Sequence, residues 1–148
     1  MDIKKGDFLL TRNKEGPGEW GNPTPGHWNH AAVCIGQSRI IEAQVEPYNS
    51  VIVSEWYEFY YRYPEILILR PPAQYAEAIA YRAQTLCGRP YRKIVLFFSR
   101  REKVGESCVS VARKSWVYAA KFDLKWRTPD HMLGSAYAGF LKISGQKS

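Results

Sequence analysis

A chain of 148 residues with 45% hydrophobic content can bury one packed core and is too short for two comfortable ones, so a single domain over residues 1–148 is expected. No apolar run follows the charged start MDIKKGD, and no stretch approaches the length needed to cross a bilayer. Export and membrane insertion are therefore not expected, and a reduced, cytoplasmic setting fits the odd count of 3 cysteines.

In chain order, DFLLTR (residues 7–12) reads as a first strand. The loop EGPGEWGNPTPG follows and is too rich in Gly and Pro for regular structure. His30 to Ile35 is predicted as a strand, with a turn at Gly36–Ser38 and RIIEAQV returning as the second arm of a hairpin. SVIVS is a third short strand, and SEWYEFYYR is expected to be a short helix capped by Ser54. EILILR reads as a buried strand. Pro71 and Pro72 then lead into a helix from about Ala73 to Cys87, with Tyr75, Ile79, Ala83 and Leu86 on one face and Gly88 as its stop. In GESCVSVARKSW, Gly105 breaks what precedes, Ser107 can cap, and Val109, Ala112, Trp116 and Ala119 recur at helical spacing. Thr128 and Pro129 start a further helical turn, and YAGFLKI is expected to close as a strand. Adjacent strands with helices gathered elsewhere point to an α+β domain on an antiparallel sheet.

Cys108 falls in the first turn of its helix, where free backbone N–H groups and the positive end of the dipole favour a thiolate. Cys34, in AAVCIG, and Cys87, at a helix end, are expected to be core residues. Strand alternation puts His30, Ala32 and Cys34 on one face, and Ala31, Val33 and Ile35 on the other. Glu42 is a lone acid in the apolar segment IIEA and needs a hydrogen-bonding partner, which an imidazole one strand away can supply. A thiolate, a histidine to move the proton and a polar residue to orient the ring make up a nucleophilic acyl-transfer site. A helix-terminal backbone N–H beside the sulfur would hold the oxyanion.

The ordered series GDFLLTR, WNHAAVCIG, IIEA, ILRP, CGRPY and ESCVSV resembles the permuted papain-like cysteine peptidases of the NlpC superfamily, in particular the YiiX-like branch. In that branch the histidine strand precedes the cysteine helix, as it does here, and the likeness spans roughly residues 5–133. The resemblance implies an antiparallel sheet or half-barrel packed against the cysteine-bearing helix. It also implies Cys108 as nucleophile, His30 as general base, Glu42 as orienting residue and Tyr91, in the GRPY element, beside the site. Trp28, two residues before His30, is a candidate cleft wall, and Ser107 a candidate substrate contact. Family members often read Asn or Tyr, Cys, Ser, Glu around the nucleophile, whereas this chain has Ser107, Cys108, Val109 and Ser110, which leaves substrate preference open.

These expectations describe a cysteine hydrolase that cleaves an amide (peptide, peptidoglycan-like or isopeptide) through a thioacyl intermediate, without a cofactor. Two alternatives stand beside it: a lipid acyltransferase or acyl hydrolase with the same nucleophile, as in the related lecithin:retinol acyltransferase group, and a non-catalytic binding module. The net charge of +7 concentrates in residues 89–127, which carry +8 against −1 for the remainder. That half could attract an anionic ligand or could simply be a solvated basic face. His30 and Cys34 lie about 13 Å apart along a strand, too far to share a metal with His27, so no metal site is expected. His131 reads as a surface residue, and the aromatics do not alternate with basic residues as a nucleic-acid reader requires.

Overall fold

The computed structural model describes residues 1–12, 27–45, 47–91 and 106–148. The loop EGPGEWGNPTPG and Gly105 lie outside the described residues, as do five of the eleven basic side chains in residues 89–127. Six strands form one sheet: β1 (Phe8–Arg12), β2 (His30–Gly36), β3 (Arg39–Gln44), β4 (Ser50–Glu55), β5 (Glu65–Arg70) and β6 (Lys142–Lys147). Their order is β4-β3-β2-β1-β5-β6, and every neighbouring pair is antiparallel. The helices are α1 (Trp56–Arg62), α2 (Ala76–Thr85), α3 (Cys108–Ala120) and α4 (Pro129–Tyr137), with a 3₁₀ turn at Ala73–Tyr75 leading into α2. The class is α+β, and no helix among the described residues is long and apolar enough to cross a membrane.

The β2–β3 hairpin closes through Gln37 and Ser38, both left-handed at φ 53° and 57°. Two such residues in a two-residue turn match the right-handed twist of the flanking strands. Alternation then divides the sheet into two buried faces. Phe8, Leu10, Ala31, Val33, Ile41 and Leu67 pack with α2, α3 and α4 in the larger core, where Trp116 and Trp126 meet at 5.8 Å between ring centroids. Leu9, Ala32, Cys34, Ile40, Ile66 and Ile68 pack under α1 through Phe59 and Tyr63. Cys34 is buried as expected.

Four expectations are corrected. Ser54 stays in β4, and α1 begins at Trp56 behind Glu55, which makes no side-chain cap; the Ser54 side chain bonds to Glu42 instead. The predicted 73–87 helix is a 3₁₀ turn followed by α2 ending at Thr85, although the stripe Ile79, Ala83 and Leu86 is buried as drawn. Cys87 is exposed, because it follows Leu86, the last buried residue of that stripe, and the chain turns away at Gly88. YAGFLKI is not one strand: Tyr137 ends α4, and β6 begins only at Lys142. Thr128 caps α4 by accepting the His131 N–H, and this cap with Pro129 in the first turn supports nine helical residues.

The turn before β1 is held by a close backbone approach. Gly6 has φ +89°, and a Cβ there would sit 2.6 Å from Ala76 Cα at the start of α2. Gly88 has φ +88° but open space around it. Gly88→Ala should therefore cost about 1 kcal/mol, the left-handed penalty alone, whereas Gly6→Ala should cost roughly 2–4 kcal/mol because overlap adds to it. Urea unfolding of the two variants beside wild type measures the difference, and equal losses would remove the packing argument.

Candidate active site

Cys108 opens α3. Ser107, extended at φ −103° and ψ 168°, caps the helix by accepting the Ser110 N–H at 3.1 Å, and its own N–H donates to Ser110 Oγ at 2.7 Å. The Val111 N–H returns to Ser107 O at 3.1 Å. Of the first-turn donors, the cap therefore leaves the amides of Cys108 and Val109 beside the sulfur. The helix start is anchored from below by Glu106, only 1% exposed. Its Oε1 accepts from Arg89 Nη1 at 3.1 Å and from Lys114 Nζ, and its Oε2 accepts from Ser110 Oγ at 2.6 Å. Burial pushes this carboxyl up, but Lys114, Ser110 and Arg89 outweigh it and hold the group below its ordinary range.

His30 is the first residue of β2, opposite Thr11 on β1. Because Glu42 pairs with Ala32, and Ala32 shares the His30 face, the carboxylate lies diagonally across from the ring. His30 Nε2 donates to Glu42 Oε1 at 3.0 Å. With Nε2 engaged, Nδ1 is the nitrogen left to face the Cys108 side chain, whose interaction with the ring raises the pKa of His30. The structure thus brings together Cys108 with His30 and Glu42, which sit on one hairpin far from it in the chain. Cys108 is partly exposed, while His30 and Glu42 are buried at 8% and 1% exposure.

The rest of the cluster is not evident from sequence. Glu42 Oε2 accepts from Arg62 Nη1 at 2.9 Å, Oε1 also accepts from Gln44 Nε2, and Ser54 bonds to the same carboxylate. Tyr63 stacks on the His30 ring at 5.5 Å and 25°. Gln44 could have been found by parity, two residues beyond Glu42 on β3. Arg62 and Tyr63 could not, because they come from α1 and its C-terminus and depend on how that helix crosses the sheet.

Electrostatically the cluster holds a carboxylate and favours an imidazolium. Burial lowers the pKa of His30, but the Tyr63 phenol oxygen, the Cys108 thiol and the Glu42 carboxylate outweigh it and keep the ring well above 6.5. Burial raises Glu42, but hydrogen bonds from His30 and Ser54 and the charges of His30 and Arg62 bring it from 4.5 to about 2. Both shifts describe one ion pair and count once.

Of the remaining site candidates, Tyr91 forms a parallel bridge with Glu106, two residues before Cys108, and packs on the larger core. Trp28 is 5% exposed and belongs to the larger core, so it does not share the His30 face as expected, although Cys108 packs against that same core. The chain is not in strand form at Trp28, so alternation cannot be extended back from His30. His27 Nε2 bonds to Glu65 Oε2 at 2.5 Å rather than approaching His30 or Cys34. His131 is exposed and accepts the Arg127 N–H through Nδ1 at 3.1 Å. In the basic half, Arg89 and Lys114 are spent on Glu106, and Arg113 on Asp123. Compared with protein-family models, curated proteins and solved structures, the chain finds no match.

The Glu42 shift sets a pH window. Its folded pKa lies below the unfolded value, so its contribution is complete above about pH 4.5 and is lost as pH falls towards 2. His30 has the opposite sign: its contribution is complete below about 6.5 and is lost as pH rises through the elevated folded value. Arg62→Met leaves Glu42 Oε2 without its guanidinium and should cost about 2–3 kcal/mol at pH 6. In urea unfolding across pH, that difference should shrink below pH 4 as Glu42 takes up a proton; a constant difference would mean that Arg62 acts by packing alone.

Proposed function

We propose that the chain is a cysteine hydrolase that cleaves an amide bond through a thioacyl intermediate. The observation that carries this reading is the contact of Cys108, at the start of a capped helix, with an imidazole whose other nitrogen is fixed by a buried carboxylate. The order of histidine strand and cysteine helix, with an antiparallel sheet packed against that helix, supports a permuted papain-like arrangement of the NlpC, YiiX-like kind.

The chemistry follows from the groups in place. The Cys108 thiolate attacks the carbonyl carbon, a C–S bond forms, and the oxyanion is held by the amides of Cys108 and Val109. The His30 imidazolium gives its Nδ1 proton to the leaving nitrogen as the C–N bond breaks, which releases an amine and leaves the thioester. Neutral His30 then takes a proton from water, whose oxygen attacks the thioester. Breakage of the C–S bond frees the acid and restores thiolate and imidazolium. Glu42 keeps Nε2 protonated and Nδ1 turned to sulfur throughout, while Tyr63 restrains the plane of the ring. Ser107, next to the nucleophile in sequence, and Tyr91, bridged to Glu106 two residues before it, are the proposed substrate contacts.

Two measurements test this reading. At pH 6.5 and limiting iodoacetamide, Cys108 should be alkylated at least 10-fold faster than the exposed Cys87 of the same molecule; slower labelling of Cys108 would sink the thiolate. Peptide amides and acyl esters should then be screened with wild type and with Cys108→Ala. Turnover should fall at least 10³-fold in the variant, and preference between the two substrate classes separates amide from lipid-acyl chemistry.

Substitution of Glu42 tests the pH behaviour. In wild type, the alkaline limb of kcat/KM should lie above the ordinary histidine range, because His30 stays protonated there. Glu42→Gln should lower kcat/KM by roughly 10–10³-fold and move that limb downward; an unmoved limb would deny Glu42 its orienting and charge-stabilising role.

A further inference from the structure

A cavity of about 400 Å³ opens at the other end of the sheet, lined by Lys4, Lys5, Arg70 and Lys142 together with Phe140 and Leu141. The Gly6 N–H, next to Lys5, donates to Cys34 O at 2.8 Å. Cys34 lies four residues along β2 from His30, about 13 Å by strand rise, so this cavity is separate from the cysteine cluster. Three stretches far apart in the sequence supply its cations: the turn before β1, the end of β5 and the start of β6.

Among the described residues, no acidic side chain lines the cavity. Of those residues, three acids reach its cations from outside, one of them the exposed Asp2, whose charge acts on Arg70 and whose backbone carbonyl accepts from Arg70 Nη2 at 3.0 Å. Asp7, fully buried, takes Arg70 Nε and Nη2 at 2.8 Å each and the Lys4 backbone N–H at 2.7 Å. Glu77 meets Lys5 Nζ at 3.1 Å, but its side chain is 84% exposed, so that pair is weak. Among the described residues, the ammonium groups of Lys4 and Lys142 meet no acid. Four cations therefore converge on one concavity, with a single buried carboxylate behind them. Such an arrangement focuses positive potential into the hollow and favours an anion there. Phe140 and Leu141, with the Pro71–Pro72 pair, make the remaining wall apolar. The volume falls within the roughly 300–1,000 Å³ of small-molecule sites.

We infer that this cavity binds a small amphiphilic anion, a carboxylate or phosphate head on an apolar body. The head lies among Lys4, Lys5 and Lys142, and the body lies against Phe140 and Leu141. Arg70 is held by Asp7 and contributes field more than contact. This inference does not depend on Cys108 and can be tested in the Cys108→Ala variant as well as in wild type.

The experiment is calorimetric titration with octyl phosphate and with octanoate below their micellar concentrations, and with inorganic phosphate as the head alone. At least one amphiphile should bind saturably at one site, at least 10-fold more tightly than inorganic phosphate; the tighter of the two assigns the head group. Lys142→Glu and Lys4→Glu, both at exposed positions, should each weaken binding at least 10-fold while leaving the urea midpoint unchanged. The inference is overturned if neither amphiphile gives saturable heat, if inorganic phosphate binds as well as octyl phosphate, or if both charge reversals leave affinity as it was.

Discussion

An ionised carboxylate taken out of water inside a β-sheet must be met by donors on every lone pair, and Glu42 imposes that demand on the structure around it. Its donors come from four elements: His30 at the start of β2, Gln44 on β3 itself, Ser54 on β4 and Arg62 on α1. Because each bond has its own direction, the carboxylate fixes more than charge. It determines which imidazole nitrogen carries hydrogen and draws α1 down on the sheet, where Phe59 and Tyr63 close the smaller core. The orientation of the ring towards sulfur is thus a product of packing on the face opposite α3.

A second buried acid does the corresponding service for the thiol. Glu106 gathers Arg89, Lys114 and Ser110 beneath the first turn of α3, and so ties the helix start to the segment that follows α2. The histidine and the cysteine are therefore held by separate ionic clusters built from different residues. Each cluster fixes one of the two groups independently of the other. This kind of preorganisation lowers the reorganisation that a proton transfer between them would need.

Much of this was legible where the physics is local. The pleat alone assigned His30, Ala32 and Cys34 to one face, and it put an acid one strand away where an imidazole could reach it. The cap at Ser107 and the stripe beneath it placed Cys108 in a first helical turn. What escaped were interactions set by tertiary crossing. Ser54 reads as a cap until the burial of Glu42 claims its hydroxyl, and Arg62 and Tyr63 carry no spacing that links them to residue 42 or 30. Trp28 was misread because alternation was carried past the point where extended backbone begins. Cys87 was misplaced by one step of a helical stripe, and Tyr137–Phe140 because aromatic and apolar composition does not distinguish a helix end from a strand start.

The imidazole precedes the sulfur along the chain, and biosynthesis follows that order. A ribosome makes residues 30–70 first, and with them the imidazole, its carboxylate and the helical cover of Phe59 and Tyr63. The sulfur at position 108 emerges later and docks on a partner already assembled. A translation product that stops before residue 108 therefore holds the imidazole and its carboxylate without the sulfur that faces them.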